Sequence, residues 1–146
     1  MSKSNTFEND LLQLIFNNVD IADVGDAGGL QNSATAGSLY IALHTADPGE
    51  AGTATTSESA YGSYARQAVA RSGAGWTVSG NSATNAALIQ FPECTSGSET
   101  ITHVSITTAS SGASKILYSG ALTASRSVSS GIQPQFAATA LTVTED

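Results

Sequence analysis

His44, Asp47 and Glu50 stand at i, i+3 and i+6 around a Pro-Gly turn, a nearby triple whose side chains have metal-ligand chemistry. Zinc centres normally take more His or Cys than this, and hard-cation sites more carboxylates. The spacing therefore reads as a histidine at a strand end followed by a solvated acidic turn. A Ser-His-Asp hydrolase needs its nucleophile on a sharp elbow, with a base and an orienting acid around it. Two histidines and many serines are present, but no Gly-x-Ser-x-Gly run. Cys94, the single cysteine, has no Lys or Arg near it in sequence to activate a thiolate, so it reads as a small apolar core residue. Gly73-Ala-Gly75 is too short for a phosphate cradle and lacks the Lys and following helix. The expectation is a protein without a catalytic, metal or cofactor site, and not an enzyme.

Two groups of residues have the chemistry of recognition instead. Arg66 and Arg71 bracket Gln67-Ala-Val-Ala70 in an otherwise acidic chain. They suit pairing with Glu58 or with an acidic partner surface; the plainer reading is one internal ion pair and one solvated cation. Tyr61 and Trp76 lie next to glycines, and Tyr64 two positions from one. Aromatics of this kind anchor interfaces or stack on sugars, but they equally fill a core short of large side chains, above all Trp76.

The elements that carry these residues follow from periodicity. Asn5 with Glu8 suggests a capping box, and Phe7, Leu11, Leu14 and Ile15 recur at helical spacing, so a helix is expected over 5–18. Ile21, Ala22 and Val24 suggest one further turn. Residues 25–37 read as loop or linker. From Ser38 the period changes to two, with Leu39, Ile41 and Leu43 alternating against Tyr40, Ala42 and His44, the clearest strand in the chain. Asp47-Pro-Gly49 is a turn, and 51–62 a long surface loop. Further strands are expected at 64–70, 76–78, 86–91, 101–107, 115–119, weakly at 121–129, and at 135–143. Pro92 ends one of them because it cannot donate to a ladder. Seven or eight short strands at such spacing argue for a mainly β fold, an antiparallel β-sandwich or jelly-roll-like domain with a short N-terminal helix. The expected layout is an arm and linker over 1–37 and a β-sandwich domain over 38–146, together one globular domain.

Composition sets the limits. The 146 residues carry 5 Lys+Arg against 12 Asp+Glu, a formal net charge of −7. Five scattered cations make no phosphate footprint, which argues against nucleic acid as a partner. No apolar run approaches the roughly 20 residues of a membrane span, and one cysteine builds no disulfide framework. Charged residues are only 12% and apolar residues 40%, a balance that favours a folded chain over a disordered one. The opening residues lack an apolar signal-peptide stretch, so synthesis in the cytoplasm is expected.

Several stretches also resemble one family. Ser38 through Gly52 (SLYIALHTADPGEAG), Tyr64-Ala-Arg66, Val69-Ala-Arg71, Gly75-Trp-Thr-Val78, Phe91-Pro-Glu93, residues 97–103, Leu117-Tyr-Ser-Gly120 and the opening 5–12 are similar, in this order, to small tailed-bacteriophage structural proteins, often labelled tail-fibre-like. The resemblance implies a virion protein made in the host cytoplasm. The compact size, without shaft repeats, favours a capsid decoration or cement protein that binds the outer shell and stabilises it by mass action. A tail or tail-fibre component, with carbohydrate or receptor binding, is the alternative. The implied partners are the major capsid protein lattice and copies of the chain itself, as dimer or trimer, with no nucleic acid or membrane. Phe7, Leu11 and Ile15 on the helix, with Arg66 and Arg71, are the candidate partner contacts. Removal of residues 1–18 is expected to leave a folded domain that no longer binds particles.

Overall fold

Strong alternation from Ser38 and weak, small-residue alternation elsewhere yield a chain of short strands after one helix. A computed structural model describes residues 2–146. The order is α1 (Asn5–Asn17), β1 (Ser38–His44), β2 (Gln67–Ala70), β3 (Trp76–Ser79), β4 (Ser82–Asn85), β5 (Ile89–Gln90), β6 (Ser98–Thr107), β7 (Ile116–Ser129), β8 (Gln135–Phe136) and β9 (Thr142–Thr144). The strands form three sheets, ordered β2-β1-β6-β7, β3-β4-β9 and β5-β8. The fold is mainly β with one short N-terminal helix, as the periodicity indicates. The chain divides into two compact units: one holds the chain up to Ser38, Val69–Leu88 and Phe136–Asp146, the other Leu39–Ala68 and Ile89–Gln135.

In the first unit the helix packs on β3 and β4. Ser4, rather than Asn5, is the N-cap, its Oγ accepting from the Phe7 amide at 3.3 Å. Asn18 closes the other end in the left-handed region, with φ 58°. The buried face is Glu8, Leu12 and Phe16, one position on from the expected stripe of Phe7, Leu11, Leu14 and Ile15. Apolar residues surround most of this helix, so periodicity alone leaves its rotation open. The Phe16 ring decides it, lying 4.6 Å from that of the fully buried Trp76. Trp76 Nε1 is buried without an acceptor among the described residues, an orphan that costs on the order of 1–3 kcal/mol and leaves apolar packing as what holds the indole.

Gly80, at φ 59°, turns β3 into β4, and Asn9 Nδ2 donates to its carbonyl at 2.9 Å. The buried Asn85 then organises the last segment: Nδ2 donates to Ala87 O and Ala137 O, and Oδ1 accepts from the Leu141 amide, each at 2.8 Å. That knot, with Thr139 at φ 65°, breaks the expected strand 135–143 into β8 and β9. The expected strand 86–91 likewise shrinks to β5, and β4 occupies 82–85, a stretch in which no strand is expected from the sequence.

Residues 18–33 form no further helical turn. Ile21 and Leu30 exchange both backbone hydrogen bonds, at 3.0 and 2.8 Å, closing a loop. Gly29, at φ 60°, is required there, because a Cβ would meet the Ile21 carbonyl oxygen at 1.8 Å. Asp26 Oδ1 accepts from Gly28 N, Asp20 Oδ1 from Asn32 N, and Asn18 Oδ1 from Ser33 N.

In the second unit, β1 and β6 pair antiparallel from Tyr40↔Thr107 to His44↔His103. Leu39, Ile41 and Leu43 point to one face with Val104 and Ile106, and all five are buried. The chain from Thr45 to Arg66 includes a backbone pairing in which Thr45 N donates to Ser57 O and Ser59 N to Leu43 O. The expected strand 64–70 is confined to β2, because Arg66 is drawn into the interior and Val69 supplies the buried apolar side chain.

Candidate functional site

The buried polar groups of the second unit are spent on holding loops. Arg66 is 7% exposed, and its five N–H donors all find acceptors. Nε and Nη2 grip Glu58 at 2.6 and 2.8 Å, a bidentate pair. The rest reach Ala109 O, Ser114 Oγ and Gly112 O at 2.8–3.0 Å. Hydrogen bonding to Glu58 raises the guanidinium pKa above its ordinary value, so the group stays charged. Tyr64 hydroxyl donates to the same Glu58 at 3.1 Å and accepts from the Leu43 amide at 3.0 Å; burial pushes its pKa up. Tyr61, buried, has its phenol pushed up to about 12 by the same cause, and donates to Pro92 O at 2.9 Å. Glu99 ties down the neighbouring turn through Ser59 Oγ and the Ala60 amide.

His44 is fully buried. Its Nδ1 lies 2.9 Å from Thr56 O and must donate to it, so Nε2, 2.7 Å from Ser105 Oγ, accepts in the neutral ring. Burial lowers its pKa below the ordinary 6.5. Asp47 Oδ1 accepts from Gly49 N at 2.9 Å, closing the expected turn. Among the described residues no group of three His, Cys, Asp or Glu is placed to hold a metal ion. Cys94 is buried, with Sγ 3.2 Å from Ser96 O.

Arg71 acts within the first unit. Nε and Nη2 donate to Ile15 O and Leu14 O, both at 2.7 Å, and Nη1 to Ala36 O at 3.1 Å. The last turn of α1 has no basic residue of its own, and Arg71 supplies the cation that its carbonyl end favours. The sequence missed this use because the cap lies more than fifty positions from the helix it closes.

Of the residues singled out from sequence, Arg66 and Arg71 are thus joined to partners inside the chain, and Leu11 and Ile15 are half-buried. Phe7 is 37% exposed and open to contact. Tyr61 and Trp76 are buried and Tyr64 is half-buried, so these three are not exposed together as a sugar platform requires. Other outward apolar side chains, Val19, Val24, Leu30, Leu88 and Ile132, carry no periodic signal and were not legible in advance.

The buried polar side chains thus tie loops and one helix end within the chain. Residues 2–144 match the model of the podophage GP4 fiber I protein gp80 family. The chain belongs to this family. A fiber I family member is a phage virion structural protein of tail-fibre-like kind, as the ordered motifs from Ser38 onward indicated. No curated protein matches the sequence. No helix of this fiber I family chain, among the described residues, is long and apolar enough to cross a membrane.

Proposed function

We propose that this chain is a fibre component of a podophage virion, a structural interaction module without turnover. The match of residues 2–144 to the fiber I family carries the reading. It favours the tail-fibre alternative over the capsid decoration role that compact size alone suggested. The physical character of the chain supports the same class. Loops that in an enzyme would carry reactive groups are here tied within each unit, by Arg66, Glu58 and Glu99 in one and by Asn85 in the other. Phe7, with the half-buried Leu11 and Ile15 on the same helix, is the proposed contact with a neighbouring virion protein. Arg71 contributes by holding the end of α1 through Leu14 O and Ile15 O, and Arg66 by holding the loops of the second unit in place. Many weak contacts, repeated around a symmetric particle, add through effective concentration.

Quantitative mass spectrometry of purified virions tests the assignment, counting copies against the major shell protein. A handful of copies per particle is expected. A ratio near one, or a simple fraction such as one-third, would place the chain on the capsid lattice and restore the decoration role.

A further inference from the structure

Two surfaces of the chain complement one another in charge. The first is β7. It lies at the border of its sheet, with β6 on one side and no strand on the other among the described residues. It is 14 residues long, and only Val128 is buried. Residues 100–144 contain no Asp or Glu, while Lys115 and Arg126 flank and occupy the strand. Both cations are exposed, and neither forms an ion pair among the described residues. In a chain of net charge −7, a strand with two cations and no acid of its own repels another copy little, and the acid across from it, Glu99 opposite Val128, is held by Ser59 and Ala60. The edge is not an open template for endless strand addition, because its register to β6 shifts between Ile101 and His103, where residues 122–125 stand opposite Thr102 alone. Such bulges protect edges from sheet-to-sheet aggregation. What the strip offers instead is small side chains, partly exposed Leu117 and Leu122, and two cations.

The second surface is the loop closed by Ile21 and Leu30. Val19, Val24 and Leu30 are 48%, 41% and 42% exposed. Asp20, Asp23 and Asp26 lie between them. The hydrogen bonds across the loop, and the absence of room for a side chain at Gly29, keep those aliphatic groups outward. Apolar groups held in water beside carboxylates fit a surface that is itself partly apolar and cationic.

We infer that the loop at 19–30 of one copy docks on β7 of a second copy, Asp20, Asp23 and Asp26 facing Lys115 and Arg126. The partner is chosen by charge complementarity: the same sequence carries both the acidic-aliphatic loop and the acid-free cationic strand. The contact sets one patch against a different one, so it either pairs reciprocally about a two-fold axis or propagates into a ring or an open chain. Exposed ion pairs contribute little singly, so the contact is weak in dilute solution, salt-sensitive, and strengthened where an assembly brings copies together. The inference rests on these two surfaces and not on the fibre assignment.

Sedimentation velocity of the whole chain over a wide concentration range, at low and high salt, tests it. The wild type is expected to self-associate reversibly, less so in salt. Lys115→Glu with Arg126→Glu sets a negative strip against a negative loop. Asp20→Asn, Asp23→Asn, Asp26→Asn and Val24→Lys together set a positive loop against a positive strip. Each variant alone is expected to associate at least about tenfold more weakly, with its circular dichroism unchanged. Mixing the two variants restores opposite charge at every contact and should restore association. A wild type that stays monomeric throughout overturns the inference, as do variants that associate like wild type or a mixture that stays apart. A monomeric chain that binds only a different virion protein overturns it too, while leaving the copy-number result, and with it the fibre assignment, untouched.

Discussion

Replacing Arg66 by Met keeps most of the side-chain volume and removes every donor it supplies. Glu58 is left with a carboxylate whose side chain is 16% exposed and whose cation is gone. The Tyr64 hydroxyl still donates to it at 3.1 Å, which does not neutralise the charge. Ala109 O, Gly112 O and Ser114 Oγ lose their donors as well. Breaking a buried pair from one side costs about 3–5 kcal/mol. For a chain of this size that lowers Tm by roughly 6–20 °C. The double replacement Arg66→Met with Glu58→Gln removes the stranded charge and should cost less than Arg66→Met alone. Thermal and urea unfolding followed by far-UV circular dichroism supply the four corners of the cycle. Hydrogen exchange should show faster exchange in residues 109–114 in both Arg66 variants. A loss below about 1 kcal/mol, the worth of an exposed pair, with additive effects in the cycle, would refute the view that this pair pins the loops.

Phe16→Ala removes the ring against Trp76 and should cost about 3–5 kcal/mol, with tryptophan emission moving to the red; unchanged emission would contradict the packing. For the same reason deletion of residues 1–18 should unfold the first unit rather than leave it intact, contrary to the sequence expectation, and circular dichroism of the truncated chain decides. Arg71→Gln should destabilise by on the order of 1 kcal/mol or more, since charged hydrogen bonds to the end of α1 are lost, read by urea unfolding. The lowered pKa of His44, caused first by burial, gives a signed pH dependence: below about 6.5 the unfolded chain binds a proton that the folded chain resists. Stability should therefore fall as pH drops below about 6.5 and level off past the folded pKa. His44→Gln should flatten that part of the curve, measured as urea midpoints across pH.

How much was visible beforehand depended on burial contrast. β1 alternates large apolar and smaller side chains, and its bounds were read closely. The end of α1 at Asn17 and Asn18 and the turn at Asp47-Pro-Gly49 follow from local chemistry that needs no tertiary context. The sequence shows a strand at 115–119 and a weak one at 121–129 where β7 runs unbroken, because the second half is mostly exposed and burial imposes no period on its Ser, Ala and Thr. The helix face was misplaced by one residue because six apolar positions leave its rotation to be set by Trp76, sixty positions on. Arg71 and Asn85 act across similar distances in sequence, and no local pattern reports such reach. Glu58 was named as a partner for Arg66, but the loops that pair would hold were not.

The pairing of β4 with β9 joins Ser82 to Thr144, and Lys3 pairs with Glu145 at 3.0 Å. α1 therefore emerges from the ribosome long before the strand that completes the sheet on which it packs. During synthesis its apolar positions, Leu12 and Phe16 among them, wait without their final cover. Folding of the first unit is in this sense a late event, postponed until residues some 140 positions apart can meet. Such long-range closure slows folding and lengthens the time in which chaperones or neighbouring chains can intervene. A cell producing many copies at once would meet that interval as a window for mispairing between nascent chains.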